Sequence, residues 1–318
     1  MNEPPQMTMN KNNDYWSDYW LNDGQSGEVF VDQRGDKPNY IRDFWIEALK
    51  DVEPGSEVLD IACGAGSIYE DLSAQQRANL TLNAADLSEA ALDILTRRLP
   101  AVETFVCAAQ DTPFEDARFD VLVSQFGIEY AGFDAFSEAM RILAPGGNFV
   151  FLCHMADGYI DQRNQAFLVG ASTALTSGFI PAAKVLINAS FDPTSHDLAE
   201  AKRDFQAAQQ PLADMFKEYP SGIHSHLYFG FREMYLKYGN YHQADIISWI
   251  DQMEADIRKS IEKVNQIRKV SLDHSQVKIV EQGLNAGGLD FLNIDQFKVP
   301  ERPDDVVAWH ISGRKKAI

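Results

Sequence analysis

Along residues 57–153 short apolar runs alternate with stretches of helical periodicity. Strands are predicted at 57–62, 80–85, 102–108, 119–124 and 148–153, where apolar residues cluster and break at Gly, Asp or Gln. Amphipathic helices are predicted at 39–50, with Ile41, Phe44, Trp45, Ala48 and Leu49 on one side, and at 67–77, 89–99 and 134–143. Ser88 is a natural N-cap for the third of these, and Pro145-Gly146-Gly147 stops the fourth. Strands alternating with helices of this length imply crossover connections and a parallel sheet covered on both faces.

After His154 the period changes. From about 157 to 270 there is no strand pattern, and 162–177, 182–190, 196–217, 224–238 and 244–270 read as helices. In the last, Ile246, Ile250, Met253, Ile257, Ile261, Val264 and Ile267 recur three or four residues apart. A helix this long suits a lid or a dimer contact. Sheet patterning returns after a helix near 274–283, with strands near 289–294 and 306–312. The expected fold is therefore α/β: a Rossmann-like, seven-stranded, mostly parallel sheet with helices on both faces and a large all-helical insertion. The expected division is a tail and aromatic cover segment at 1–38, a core at 39–156 and 271–318, and a helical cap at 157–270 that serves as the substrate domain.

Composition narrows the partners. With 47 acidic and 28 basic residues, the 318-residue chain carries a net charge of −19. Such a surface repels phosphate backbones and anionic lipid, so neither nucleic acid nor a membrane is expected as a partner. Three cysteines, Cys63, Cys107 and Cys153, without a Cys-x-x-Cys spacing, and a polar stretch at 1–13 without an apolar signal core, lead to an expected cytoplasmic location.

The candidate chemistry lies at the carboxyl ends of the strands, where open α/β sheets bind ligands. Residues 57–67, Glu-Val-Leu-Asp-Ile-Ala-Cys-Gly-Ala-Gly-Ser, run from a strand into Gly64 and Gly66 and then into a helix N-terminus. Glycine there admits positive φ and lets a ligand approach the backbone. Asp86, twenty residues after Gly66, can accept hydrogen bonds from both ribose hydroxyls of an adenosine, and Gln110 and Asp111 can edge an adenine ring. A dinucleotide would want a third glycine; Tyr69 stands there, and its ring argues against close helix–strand packing and against NAD or FAD.

Residues 57–67, Asp86, Ala109-Gln110-Asp111-Thr112-Pro113-Phe114, Phe119–Ser124, Leu143-Ala144-Pro145-Gly146-Gly147 and the ending from Val307 to Lys315 resemble, in that order, a class I S-adenosylmethionine-dependent methyltransferase. The resemblance covers about 39–155 and 274–316. It implies S-adenosyl-L-methionine as cofactor, with Ala62, Cys63, Gly64 and Gly66 around its methionyl part. It further implies Asp60 near the amino group or supporting the loop, Asp86 with Leu87 at the ribose, Gln110 and Asp111 at the adenine, and Gln125 and Phe126 facing the sulfonium and the acceptor.

Methyl transfer is an in-line displacement, so the enzyme's main task is alignment and water exclusion. His154 at the end of the fifth strand is the candidate base, with Glu129 and Tyr130 as further catalytic candidates able to bind an amine or hydroxyl. Tyr15, Tyr19 and Trp20 recur at helical spacing and read either as a helix docking on the core or as an aromatic cover over a substrate pocket. His224, His226 and Tyr228 are candidates for acceptor contacts in the insertion. His224-x-His226 lacks a fourth ligand, and no metal is expected. The expected activity is O- or N-methylation of a small molecule, with a homodimer through the insertion as a further expectation. A protein or RNA methyltransferase and a non-catalytic cofactor-binding scaffold are the alternatives.

Overall fold

The computed structural model describes residues 40–192, 194, 197–299 and 302–317. Tyr15, Tyr19 and Trp20, with the rest of the expected cover segment, lie outside the described residues.

Alternation along the strands sets up two apolar layers. In β1 (Glu57–Ile61), Val58 faces one layer, and Leu59 and Ile61 the other. In β4 (Phe119–Gln125), Val121 and Val123 share the layer of Val58, while Leu122 joins that of Leu59. The layer of Val58 is closed by α1 (Tyr40–Ala48), α2 (Ser67–Asp71) and α4 (Glu89–Arg98), through Trp45, Ile68, Tyr69, Leu92 and Leu95. The other is closed by α5 (Phe133–Ile142) and α11 (His274–Ala286), through Phe136, Ala139, Val277 and Leu284. With β2 (Thr81–Asp86), β3 (Glu103–Val106), β5 (Leu143–His154), β6 (Leu289–Val299) and β7 (Arg302–Lys315), the sheet has the order β3-β2-β1-β4-β5-β7-β6. The first five strands are mutually parallel; β7 runs antiparallel to β5, and β6 antiparallel to β7. The order reverses direction between β1 and β4, the switch point at which such sheets open a crevice.

Three local expectations change. The predicted helix 67–77 is two helices, because Leu72 is extended and Ser73 caps α3 (Ala74–Asn79) with a reciprocal Ser73–Gln76 capping box. Pro145-Gly146-Gly147 ends α5 yet lies within β5, which starts at Leu143. Gly147 tolerates no side chain there, since a Cβ would stand 2.8 Å from the Asp120 carbonyl oxygen, and the β4–β5 register shifts at this point. Tyr69 does not hold its helix off the sheet. Its ring is fully buried, and its hydroxyl lies 2.7 Å from the Asn83 carbonyl and 3.2 Å from that of Val58. A tyrosine can thus fill a close helix–sheet contact when its hydroxyl finds a carbonyl to donate to.

The described chain divides into two compact units, one built on the sheet and one comprising Asp161–Lys269. The second holds α6 (Tyr159–Thr176), α7 (Phe179–Phe191), α8 (Leu198–Met215), α9 (Ile223–Leu236) and α10 (Gln243–Val270). Ile246, Ile250, Met253 and Ile257 of α10 pack with Phe179, Leu186 and Phe231 in this unit's own core. These residues of the stripe are consumed internally and are not free for a dimer contact. No single described helix is long and apolar enough to cross a membrane.

Candidate active site

The carboxyl ends of β1, β2 and β4 are tied together by specific contacts. Gly64 (φ +53°) and Gly66 (φ +80°) turn the chain out of β1 into α2. At Gly66 a Cβ would lie 2.3 Å from Leu95 Cδ1, so glycine is required by conformation and by space. The Gly64 N–H donates to Asp86 Oδ2 at 2.8 Å, and the Ser88 N–H to Asp86 Oδ1 at 2.8 Å. Asp86 therefore belongs to the loop architecture as well as to the crevice. Burial pushes its carboxyl above the usual range, while the N–H groups of Ser88, Gly64 and Leu87 pull the other way.

Asp60 stands apart. It is 1 % exposed, and neither carboxylate oxygen has a hydrogen-bond partner among the described residues. Burial, reinforced by the charge of Asp86, pushes its carboxyl well above the ordinary value. A buried polar group without a partner is costly, and one beside a glycine loop marks a place where a cationic or donor group fits. Cys63 has its Sγ 3.3 Å from the Gly64 carbonyl, and burial pushes its thiol up, so it is a packed thiol rather than a nucleophile.

On the other side of the switch point, Ala62 (φ +55°) and Phe126 (φ +52°) are both left-handed without being glycine. The two loops touch: a Cβ on Gly127 would stand 2.3 Å from the Ala62 carbonyl oxygen. Ser124 ties them again, donating to the Ile61 carbonyl at 2.7 Å and accepting from the Ile128 N–H at 3.1 Å. Non-glycine residues held at positive φ by such contacts are typical of functional loops. Gln125 is clamped on both ends of its amide. Its Oε1 accepts from Trp45 Nε1 at 2.5 Å, and its Nε2 donates to Ser67 Oγ at 3.3 Å.

The loop after β3 is a tight turn in which the Asp111 N–H donates to the Ala108 carbonyl at 3.1 Å. Gln110 is half-buried and Asp111 exposed. The turn is anchored by Glu138 of α5, whose Oε1 accepts from the Thr112 N–H at 2.9 Å and from Thr112 Oγ1 at 2.5 Å. Although burial pushes it up, bonds from Arg141 and Thr112 hold Glu138 down at about 2.

At the end of β5 the three catalytic candidates come together. Glu129 Oε1 accepts from the His154 backbone N–H at 2.8 Å and lies 2.8 Å from His154 Nδ1. His154 is 4 % exposed, and the rings of Phe126 and Tyr130 stand 4.6 and 5.9 Å from its imidazole. Glu129 Oε2 is buried without a partner among the described residues. Pattern reading had no signal for the supporting residues Trp45, Ser67, Ser124 and Glu138. Ser124 in a strand and Glu138 on a helix look like ordinary sheet and surface positions until the pairing of the strands is known.

The candidates in the helical unit have structural partners. His224 is buried, its Nε2 lies 2.8 Å from the Tyr219 carbonyl, and its ring stacks on Phe216. Tyr228 packs against Phe179, Phe216 and Phe229, and His226 against Trp249. Among the described residues no cluster of three His, Cys, Asp or Glu could hold a metal ion.

Residues 58–147 match the sequence model of the methyltransferase domain family. The demethylmenaquinone methyltransferase of Renibacterium salmoninarum is 33% identical over 99 residues, 30% of this chain and 40% of that protein. A ubiquinone/menaquinone biosynthesis C-methyltransferase of Geotalea daltonii is 26% identical over 119 residues, 35% of this chain and 50% of that protein. The Mus musculus protein named probable tRNA methyltransferase 9B is 32% identical over 124 residues, 37% of this chain and 25% of that protein. The chain thus spans between a quarter and a half of these relatives' lengths. Residues 58–147 thus carry a methyltransferase domain, and it is to S-adenosylmethionine-dependent methyltransferases of class I that this part of the chain is similar.

Proposed function

We propose that this chain transfers a methyl group from S-adenosylmethionine to a small-molecule acceptor. The observation that carries the reading is Asp60, a buried carboxylate without a partner behind a loop in which Gly64 and Asp86 are already joined. Such a site suits a cationic ligand with a nucleoside body. Gly64, Gly66 and Asp60 would hold the methionyl part, Asp86 the ribose, and Gln110 with Asp111 the adenine. When bound, the cofactor supplies an electrophilic methyl carbon.

His154 and Glu129 supply the proton chemistry in this reading. Glu129 Oε1 already accepts from the His154 backbone N–H, so the ring nitrogen beside it, Nδ1, serves as a second donor. Nε2 then carries the lone pair and can take a proton from an acceptor hydroxyl or amine as it attacks. Phe126 and Tyr130 flank the imidazole and keep water from it. The sheet unit carries 34 acidic and 16 basic residues, which favours a small neutral or cationic acceptor over a phosphate backbone. The helical unit, as substrate domain, is part of the same proposal.

The test is label transfer. Full-length protein is incubated with S-adenosylmethionine labelled in the methyl group, together with separated small-molecule, RNA and protein fractions. Label in the small-molecule fraction that depends on His154 is the expected result. Label in RNA or protein alone would overturn the acceptor class. Tight cofactor binding without transfer to any fraction would favour the scaffold alternative.

A further inference from the structure

The helical unit contains a groove whose two cations have no role in the methyl transfer proposed above. It lies between α7, α8 and α9, is half open to solvent, and has a volume of about 500 Å³, within the range of small-molecule sites. Its wall is aromatic. Phe205 and Phe231 stand 5.1 Å apart, and Tyr235 stacks on Phe231 with ring centroids 6.0 Å apart and planes 12° from parallel. Phe231 and Leu186 are fully buried behind this wall, and half-buried Tyr228 and exposed Leu236 complete the apolar lining.

Lys202 on α8 and Arg232 on α9 line the same groove, and among the described residues neither has an ion-pair partner. Other cations of the unit are paired. Lys184 pairs with Asp251 and Glu254, Lys237 with Glu233, Arg258 with Glu254, and Arg268 with Asp161. The unit holds 13 acidic residues, and these two cations of the groove pair with none of those described. Gln206, one helical turn beyond Lys202, adds a neutral donor and acceptor to the lining.

We propose that this groove binds an aromatic carboxylate, its fused rings against the half-buried Phe205, Tyr228 and Tyr235 and its carboxylate against Lys202 and Arg232. Burying a planar ring supplies the affinity, and two cations from facing helices supply selection for a negative charge. A volume of about 500 Å³ suits a body of two or three rings. The inference concerns the helical unit alone and stands whether or not the chain transfers methyl groups.

The full chain is titrated by tryptophan and ligand fluorescence with 2-naphthoate and with its uncharged counterpart, 2-naphthamide. Saturable binding of the carboxylate, at least tenfold tighter than the amide, is expected, a difference of about 1.4 kcal/mol. The double variant Lys202→Gln/Arg232→Gln changes two exposed side chains and should fold with an unaltered circular dichroism spectrum. It should bind both compounds equally. Lys237→Gln, at a lysine already paired, should keep the preference. Equal affinities in the unmodified protein, or no saturable binding at millimolar ligand, would overturn the proposal. So would a dimer seen by sedimentation that Leu236→Glu at the groove edge dissociates, because the groove would then belong to a second copy.

Discussion

The two units of this chain build their candidate sites in different ways. The sheet unit holds 34 acidic and 16 basic residues and arranges its site by hydrogen bonds between loops: Gly64 to Asp86, Ser124 to Ile61 and Ile128, Glu138 to Thr112, and Glu129 to His154. The helical unit, with 13 acidic and 12 basic residues, arranges its groove by packing rings. Strand ends in a parallel sheet recur at fixed spacing and leave backbone groups to be satisfied, so short polar motifs suffice to position chemistry there. Helices present side chains only, and a site between them depends on which faces meet.

If that contrast holds, the largest effect should come from the polar couple at the end of β5. His154→Gln is expected to lower kcat about a hundredfold or more while leaving cofactor affinity within twofold. Single-turnover kinetics and calorimetry separate the two, and equal losses in both would make His154 a structural residue. Glu129→Gln should reduce kcat less and alter the pH dependence of the remaining activity.

Next in size is Asp86→Ala. Loss of its carboxylate frees the Gly64 and Ser88 N–H groups and removes the proposed ribose contact, so cofactor affinity should fall at least tenfold, about 1.4 kcal/mol. An unchanged dissociation constant in a folded variant would refute the assignment.

Gly170→Ala probes the other unit. Its Cβ would stand 2.4 Å from His224 Nδ1, and that ring is held by Tyr219 and Phe216, so it has little room to give. A loss of about 1–3 kcal/mol is expected in chemical denaturation. Cofactor affinity should not change. A matching loss of affinity would show that the two units do not behave independently.

The smaller effects are linked to pH. Glu138 is held at about 2, below its unfolded value, so the stability it contributes is complete above about pH 4.5 and is lost as pH falls toward 2. Glu138→Gln should flatten that part of the melting curve. Asp60 has the opposite sign. Its folded value is raised, so it binds protons more readily when folded, and its carboxylate costs stability as pH rises above the unfolded value. Asp60→Asn should therefore raise Tm at pH 7, lose that advantage near pH 4, and weaken cofactor binding throughout. A lower Tm at pH 7 would mean that the carboxylate has a partner.

Much of the sheet unit was legible in its residues, because a strand that enters a glycine turn and then a helix is a local event. The seven strands, the break at residues 154–157 and the loops carrying Gly64, Asp86, Gln110 and Gln125 all follow from spacing and turn chemistry. Tyr69 shows the limit. Its bulk argued against close packing, and only the position of the Asn83 and Val58 carbonyls makes room for it. The long helix α10 shows another, since its apolar stripe is equally suited to a partner or to its own unit, and the fold assigns it to its own unit.

The order of elements and the strand-end loops, and with them the resemblance that implies the cofactor, are readable from the residues alone, since they depend on positions near one another in the chain. Which carboxylate is left unpartnered, which histidine meets Glu129, and which cations of α8 and α9 share a groove were decided only by tertiary structure. Each of those is a contact between distant segments, and side-chain identity alone does not say what it will face.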